Sequence, residues 1–374
     1  MSDSGPPLRS AEKSRVSTCL FADRIATAVV STYRQLTGTT EKTPMAPNVL
    51  AGFLSFDSKM DEMEVLSLAV GTKYLPPNVV SKDIDGSNEL VHDCHAEVLA
   101  RLALLRYLGD YGWSSEAKTL HMYTSSAPCG NACIKRWVTG KKEKFDGDEK
   151  LWPRAERHEK VELHSYGEGQ VEATFKAAQG DPKMADYFPK GIVRASAVED
   201  KRGRLLSCSD HIALWNLLGV AEEETGKPIF IESITIGRKF SRKCCERALC
   251  CRMEFKGCPK KVYHPSIMCS AVKFQEGGMD ADKGAVFTED DSRWWRRLGD
   301  DGKWEKEIID SNTGRVKTGS NEVSKLARCQ MSEGNKKDKR MRLEVGDGVE
   351  RSLLNGRHSP FKCLCDDEYL LASG

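Results

Sequence analysis

The stretch His92-Asp93-Cys94-His95-Ala96-Glu97, running on through Val98-Leu99-Ala100-Arg101-Leu102-Ala103-Leu104-Leu105-Arg106-Tyr107-Leu108-Gly109, carries a fold signal and a chemical signal together. Val98, Leu99, Leu102, Leu105 and Leu108 recur at the helical period, and glycine suits the left-handed turn that ends a helix. The pattern predicts a helix over 95–109 with His95 at its start. Histidine is a common metal ligand, and Glu97 stands two residues on as a carboxylate that need not bind the metal itself.

Working outward, Cys19 to Leu36 reads as an amphipathic helix through Leu20, Ile25, Ala28, Val29 and Tyr33, with Gly38 after it as a stop. Residues 1–16 ahead of it are polar and are expected to be a disordered tail. Val49 to Phe56 and Glu64 to Val70 have strand length and apolar clustering, and Gly71 opens a loop. Thr119 to Thr124 is a further strand, and Pro128 suits the first turn of a helix running to Trp137. Lys141 to Lys160 reads as a charged, solvated excursion. Ile192 to Val198 and Ile229 to Ile236 are strand candidates. Cys208 to Leu218 reads as a helix capped by Ser207 or Ser209 and stopped by Gly219. Strands alternating with helices predict an α/β domain, a sheet with helices packed on it.

The chain has 374 residues, 39% hydrophobic and 30% charged, with a formal net charge of +2. That is a globular composition, and no run reaches the ~20 apolar residues of a membrane span. The N-terminus lacks an apolar signal core, so the 14 cysteines are expected to be thiols or metal ligands rather than disulfides. Cys244, Cys245, Cys250, Cys251 and Cys258 crowd together. Adjacent rather than spaced pairs favour a thiol cluster over a second zinc site.

The chemistry rests on His95-x-Glu97 followed by Pro128-Cys129. Hydrolytic deamination needs a metal that makes water nucleophilic near neutral pH, and a proton shuttle beside that water. His95 and Cys129 would be ligands and Glu97 the shuttle. A cysteine at a helix N-terminus has its thiolate favoured by the dipole. The generic signature asks for a second cysteine three residues after Cys129, and that place is Ala132. Cys133, on roughly the same helical face, and Cys208, which opens another helix, are both candidates.

Taken together, HDCHAE (92–97), SSAPCG (125–130) and SCSD-x-IA-x-WN-x-x-G (207–219) resemble the adenosine deaminase domain of RNA-editing enzymes. The likeness runs from Val49 to Gly219 and more weakly onward to Ser324-Lys325-Leu326. It implies a three-layer α/β/α cytidine-deaminase-like fold over 17–330, with 331–374 a divergent segment. By resemblance the third zinc ligand is Cys208, completing His95 and Cys129, with Glu97 catalytic. Val49, Thr72 and Lys73 match positions that touch the target nucleotide, and Arg194 falls in an RNA-facing basic segment.

The resemblance implies conversion of adenosine to inosine in RNA. With no duplex-binding domain ahead of Val49, the expected substrate is a tRNA anticodon stem-loop, at adenosine 37 next to the anticodon, in tRNA-Ala by family resemblance. A duplex RNA or other nucleobase deaminase is the alternative, and a non-catalytic zinc-containing RNA-binding subunit the second. Relatives also bury inositol hexakisphosphate. Arg101 matches that site, whereas His211 and Leu214 replace its usual lysine and arginine. The basic stretch Arg238, Lys239, Arg242, Lys243, Arg247, Arg252, Lys256, Lys260, Lys261 is a candidate RNA surface. Arg293-Trp294-Trp295-Arg296-Arg297 reads as buried tryptophans beside surface arginines, with base stacking the alternative. Neither a membrane nor a protein partner is expected, and localisation is expected to be nuclear or cytoplasmic.

Overall fold

The computed structural model describes residues 10–40, 48–75, 79–80, 82–83, 86–129, 132, 164–166, 192–194, 207–251, 261–274, 291–299, 301–317 and 322–333. Eight strands form one mixed sheet in the order β11-β10-β5-β1-β2-β12-β13-β14. These are β1 (Leu50–Asp57), β2 (Glu62–Val70), β5 (Thr119–Thr124), β10 (Ile231–Ile236), β11 (Ser266–Cys269), β12 (Asp291–Leu298), β13 (Lys303–Asp310) and β14 (Arg315–Val316). β10 runs parallel to β5 and β11, and every other pairing in the sheet is antiparallel. Short ribbons pair β3 (Thr72–Tyr74) with β4 (Asp93–His95), β6 (His164–Tyr166) with β7 (Ile192–Arg194), and β8 (Ala221–Glu222) with β9 (Pro228–Ile229).

Side chains of a strand alternate between faces, and β1 and β2 use that alternation to serve two cores. Ala51 and Phe53, with Leu66 and Ala69, face one layer, which holds α2 (Ala96–Tyr111), α3 (Cys208–Leu218) and α4 (Arg242–Leu249). Leu50, Leu54, Val65, Leu68 and Val70 face the other, under α1 (Ser10–Thr37). A register shift between Phe53 and Leu54 lets both sets stay aligned with β2. The result is the expected α/β architecture, helices on both faces of a central sheet.

α1 buries Ala22, Ile25, Ala26, Val29, Val30 and Tyr33, the residues that share one helical stripe. Leu20, counted in that stripe from the sequence, is 61% exposed instead. The helix begins at Ser10 rather than Cys19, through Ala11, Glu12, Lys13 and Arg15, all good helix formers despite their polarity. α2 presents a small-residue face, Ala96, Ala100 and Ala103, so it sits close to the sheet. It runs past Gly109 to Tyr111 and is ended by Gly112 (φ 71°), whose amide donates to Leu108 O at 2.8 Å.

α3 matches its predicted bounds, and Gly219 (φ 100°) ends it. A Cβ there would sit 2.9 Å from Pro228 Cβ. Pro128 and Cys129 lie in a bend, not a helix, while 133–137 and the charged excursion lie outside the described residues. The strand foreseen from Ile192 is placed as Ile192–Arg194. α5 (Arg328–Glu333) carries the fold just past residue 330, and 334–374 lie outside the described residues. Trp294 and Trp295 are buried in β12, which rules out base stacking by either; Arg296 is buried too, bonded to Asp110 and Glu305. Among the described residues no helix is long and apolar enough to cross a membrane.

Candidate active site

Four backbone segments converge where α2 and α3 begin. β4 delivers His95 as the residue before α2, in extended conformation, so its ring leaves the strand while Glu97 projects from the first helical turn. Across the sheet, β5 ends at Thr124, and the chain bends through Ser125 to Cys129. That bend is pinned on both sides. Ser125 N donates to Leu50 O (2.8 Å), Leu50 N donates to Ser125 Oγ (2.9 Å), and Ala127 N donates to Arg238 O (2.9 Å). α3 then brings Cys208 to the same point.

His95, Cys129 and Cys208 place their donor atoms within 4.8 Å of one another. The start of α3 binds the Cys129 bend directly. Cys208 N donates to Cys129 Sγ (3.2 Å), Ser209 N donates to Cys129 O (2.9 Å), and Ser209 Oγ reaches the same carbonyl (2.6 Å). Helix-terminal amides favour negative charge, so this contact favours a thiolate. Burial alone would push the Cys129 thiol up, but the Cys208 and His95 contacts hold it well below its ordinary value. Cys208 is driven the other way, by burial and by the charge on Cys129. Of the two candidates for the third donor, Cys208 is the one brought to His95 and Cys129; Cys133 lies outside the described residues.

Glu97 is only 2% exposed and faces this cluster. Thr124 Oγ1 donates to its Oε1 (3.0 Å), and Cys208 Sγ lies 3.4 Å from its Oε2. Burial, then the neighbouring Cys129 charge, raises the carboxyl's pKa. A carboxyl so placed holds a proton more readily than a solvated one.

Behind His95 stands Asp93. Its Oδ1 accepts from the His95 backbone amide (2.9 Å) and lies 2.8 Å from His95 Nδ1. His211 Nε2 lies 3.4 Å from Asp93 Oδ2. Burial works against the Asp93 charge, but His95 and His211 outweigh it and bring the carboxyl down to about 2. With Asp93 on Nδ1, Nε2 is the ring nitrogen that could bind a metal. Neither Asp93 nor Thr124 was singled out from sequence; Asp93 sits inside the HDCHAE motif, and nothing local marked Thr124.

Gly71 links the ligand strand to the nucleotide-contact candidates. Gly71 N donates to Val49 O (3.2 Å), and Gly71 O accepts from Ala96 N (3.1 Å). A Cβ at Gly71 would lie 1.9 Å from Cys94 O, so only glycine allows this approach. Thr72 and Lys73 then pair in register with His95 and Cys94, and the Tyr74 ring lies 4.2 Å from the His95 ring. Val49 is half-buried at the edge of the core. Arg194 pairs with His164 in the separate β6–β7 ribbon.

Arg101 lies one turn after Glu97 on α2. Its Nε donates to Val220 O (2.9 Å), and its guanidinium lies 5.3 Å from the Trp215 ring. With His211 and Arg328 it borders a cavity of about 110 Å³ otherwise lined mostly by apolar side chains, among them Val98, Leu102, Leu326 and Met331. His92 and the Asp93 carboxylate line it too, so four basic groups and one acid border this space.

One histidine, two cysteines and a buried glutamate that holds a proton readily converge here, a set that could hold a metal ion and serve hydrolysis beside it. The adenosine-deaminase (editase) domain family matches residues 114–337, and the chain belongs to that family. The chain is 24% identical to the mouse double-stranded RNA-specific adenosine deaminase over 345 residues, covering 82% of this chain and 27% of that protein. It is 26% identical to the tRNA-specific adenosine deaminase 1 of Drosophila melanogaster, covering 60% and 55%. For the same enzyme of Schizosaccharomyces pombe the figures are 25%, 51% and 49%. The chain thus spans about a quarter to about half the length of these relatives.

Proposed function

We propose that the protein is a zinc-dependent enzyme that hydrolyses adenosine to inosine in RNA, with a tRNA anticodon stem-loop as substrate and adenosine 37 of tRNA-Ala as target. The observation that carries this reading is the meeting of His95, Cys129 and Cys208 around a buried Glu97. One imidazole and two thiolates form the borderline-soft donor set that suits zinc, and three protein donors leave a fourth position for water. When bound there, zinc lowers the pKa of water towards neutrality.

The chain's own residues account for the remaining chemistry. Asp93 fixes the tautomer and aim of His95 through the 2.8 Å contact to Nδ1. Thr124 fixes Glu97 Oε1, leaving Oε2 on the side of the ligand cluster. Water adds at C6 of the adenine, N1 takes a proton, and the amino group leaves as ammonia. Glu97 takes one proton from the water and delivers it to N1, then takes a second from the added hydroxyl as the C6 carbonyl forms and delivers it to the departing nitrogen.

Backbone hydrogen bonds join the Val49 and Thr72–Lys73 segments to each other through Gly71 and to the His95 strand, which supports a role for all three residues in contacting the nucleotide. The unstacking that admits adenine costs less in a loop than in a duplex, which favours the anticodon loop. Two relatives are named as tRNA-specific, and one is named as specific for double-stranded RNA.

The test is inosine formation by the purified protein on unmodified tRNA transcripts, read by sequencing, beside long duplex RNA. Inosine at one anticodon-loop adenosine is expected, and it should vanish in Glu97→Ala while zinc content holds. Inosine confined to the duplex would overturn the substrate. No inosine in either from zinc-containing protein would overturn the activity.

A further inference from the structure

Away from the active site, a second group of metal-binding side chains meets at the far end of α4. Cys250 and Cys251 follow its last residue, and His264 lies on the approach to β11. The two Sγ atoms are 3.8 Å apart, and His264 Nδ1 lies 3.9 Å from Cys251 Sγ. All three donor atoms fall within 4.8 Å of one another. A tetrahedral zinc with arms of ~2.3 Å to sulfur and ~2.0–2.1 Å to nitrogen has ligand-to-ligand edges of roughly 3.5–3.8 Å. The observed spacings approach those edges.

Adjacent cysteines on a regular helix point about 100° apart, which is why their sequence spacing favoured plain thiols. Here the helix ends just before them. Cys250 takes φ −147°, ψ −56°, outside the helical region, and the turn leaves both sulfurs within 4.8 Å of the His264 ring nitrogen.

One residue secures both arms. Asn216 of α3 donates through Nδ2 to Leu249 O (2.9 Å), just before Cys250. Its own carbonyl accepts from Tyr263 N (2.7 Å), just before His264. Tyr263 also stacks on Phe230 with ring centres 4.8 Å apart, and its hydroxyl bonds to Glu232. Because the donors are held before any ion arrives, binding costs little ordering. The carbonyl end of α4 adds a partial negative charge at the same place.

We propose that Cys250, Cys251 and His264 form a second zinc site, with a fourth position open to solvent, that clamps the end of α4 to the approach to β11. Two thiolates and an imidazole select zinc over the oxygen-seeking magnesium or calcium. Through Asn216 the clamp acts on α3, the helix that supplies Cys208 to the active site. It stands whether or not the proposed reaction is correct.

The experiment is zinc content per chain, by mass spectrometry of the full chain purified with zinc present. Two ions are expected, falling to one in Cys251→Ser/His264→Ala and to one in Cys208→Ser. A single ion in the unsubstituted chain, unchanged in Cys251→Ser/His264→Ala, overturns the proposal. Alkylation gives a reading without substitution. Cys251 should resist iodoacetamide in zinc-replete protein and react after chelation; equal reaction in both states overturns it.

Discussion

His121 should make stability fall with acid, by an amount that the fold lets one calculate. The ring sits in β5 at 3% exposure, with Nε2 2.8 Å from Thr119 Oγ1 and Nδ1 2.7 Å from Ser233 Oγ. Phe21 and Phe56 pack edge-on against it. Burial lowers its pKa from 6.5 to about 4, Glu232 opposing only in part. The unfolded chain therefore binds a proton near pH 6.5 that the folded chain refuses until about pH 4. The stabilisation is complete above 6.5, declines as pH falls below it, and is lost on passing through 4.

The full gap corresponds to about 3 kcal/mol, and lowering the pH from about 7.5 to about 5.0 removes about 2 kcal/mol of it. The assay is urea unfolding followed by tryptophan fluorescence at those two pH values, for the native chain and for His121→Gln. Carboxylates and metal release act alike in both proteins, so the difference between their pH dependences isolates the ring. A difference of about 2 kcal/mol is expected. Equal pH dependence in the two proteins would refute the account of a buried neutral imidazole.

Asp93→Asn should weaken zinc binding about 10- to 100-fold, since the His95 tautomer loses its anchor; chelator competition reads this directly. Thr124→Val should leave zinc in place and lower kcat about tenfold with KM little changed, because a hydrogen bond worth about 1.4 kcal/mol no longer aims Glu97. Gly71→Ala forces a Cβ against Cys94 O at 1.9 Å, so melting temperature and metal content should fall together. Cys208→Ala should lose the active-site zinc that Cys133→Ala keeps, and the opposite pattern in metal analysis would reassign the ligand.

The elements that position the proposed metal ligands were legible because local rules and tertiary structure agree there. β5 and α3 have the predicted bounds, set by a run of apolar residues and by glycine at 219. α2 was harder to read at its end, since Gly109 is helical and Gly112 is the residue with positive φ. β12 was hidden because its arginines are not all solvent-facing. Arg296 is buried in an ion-pair network with Glu305, its cross-strand neighbour, and with Asp110, a partner far away in sequence that no periodicity reveals. The same limit applies to the site. Motif spacing exposes His95 and Glu97, but Thr124 comes to Glu97 only through sheet closure. Adjacent Cys250 and Cys251 bring their sulfurs within 3.8 Å because the helix stops before them, a closeness that spacing rules for regular helices do not anticipate.

The pairing of Thr72 with His95 and of Lys73 with Cys94 gives the molecule a way to inspect its substrate. The strand proposed to touch the nucleotide and the strand that carries a proposed metal ligand are the two sides of one ladder. Further backbone bonds tie them from Gly71 to Ala96 and from Leu75 to His92. A poorly seated nucleotide that pushes on one strand must disturb the other. Errors of fit are then felt as slowed chemistry more than as weakened binding, so selectivity should appear in kcat and survive saturating RNA.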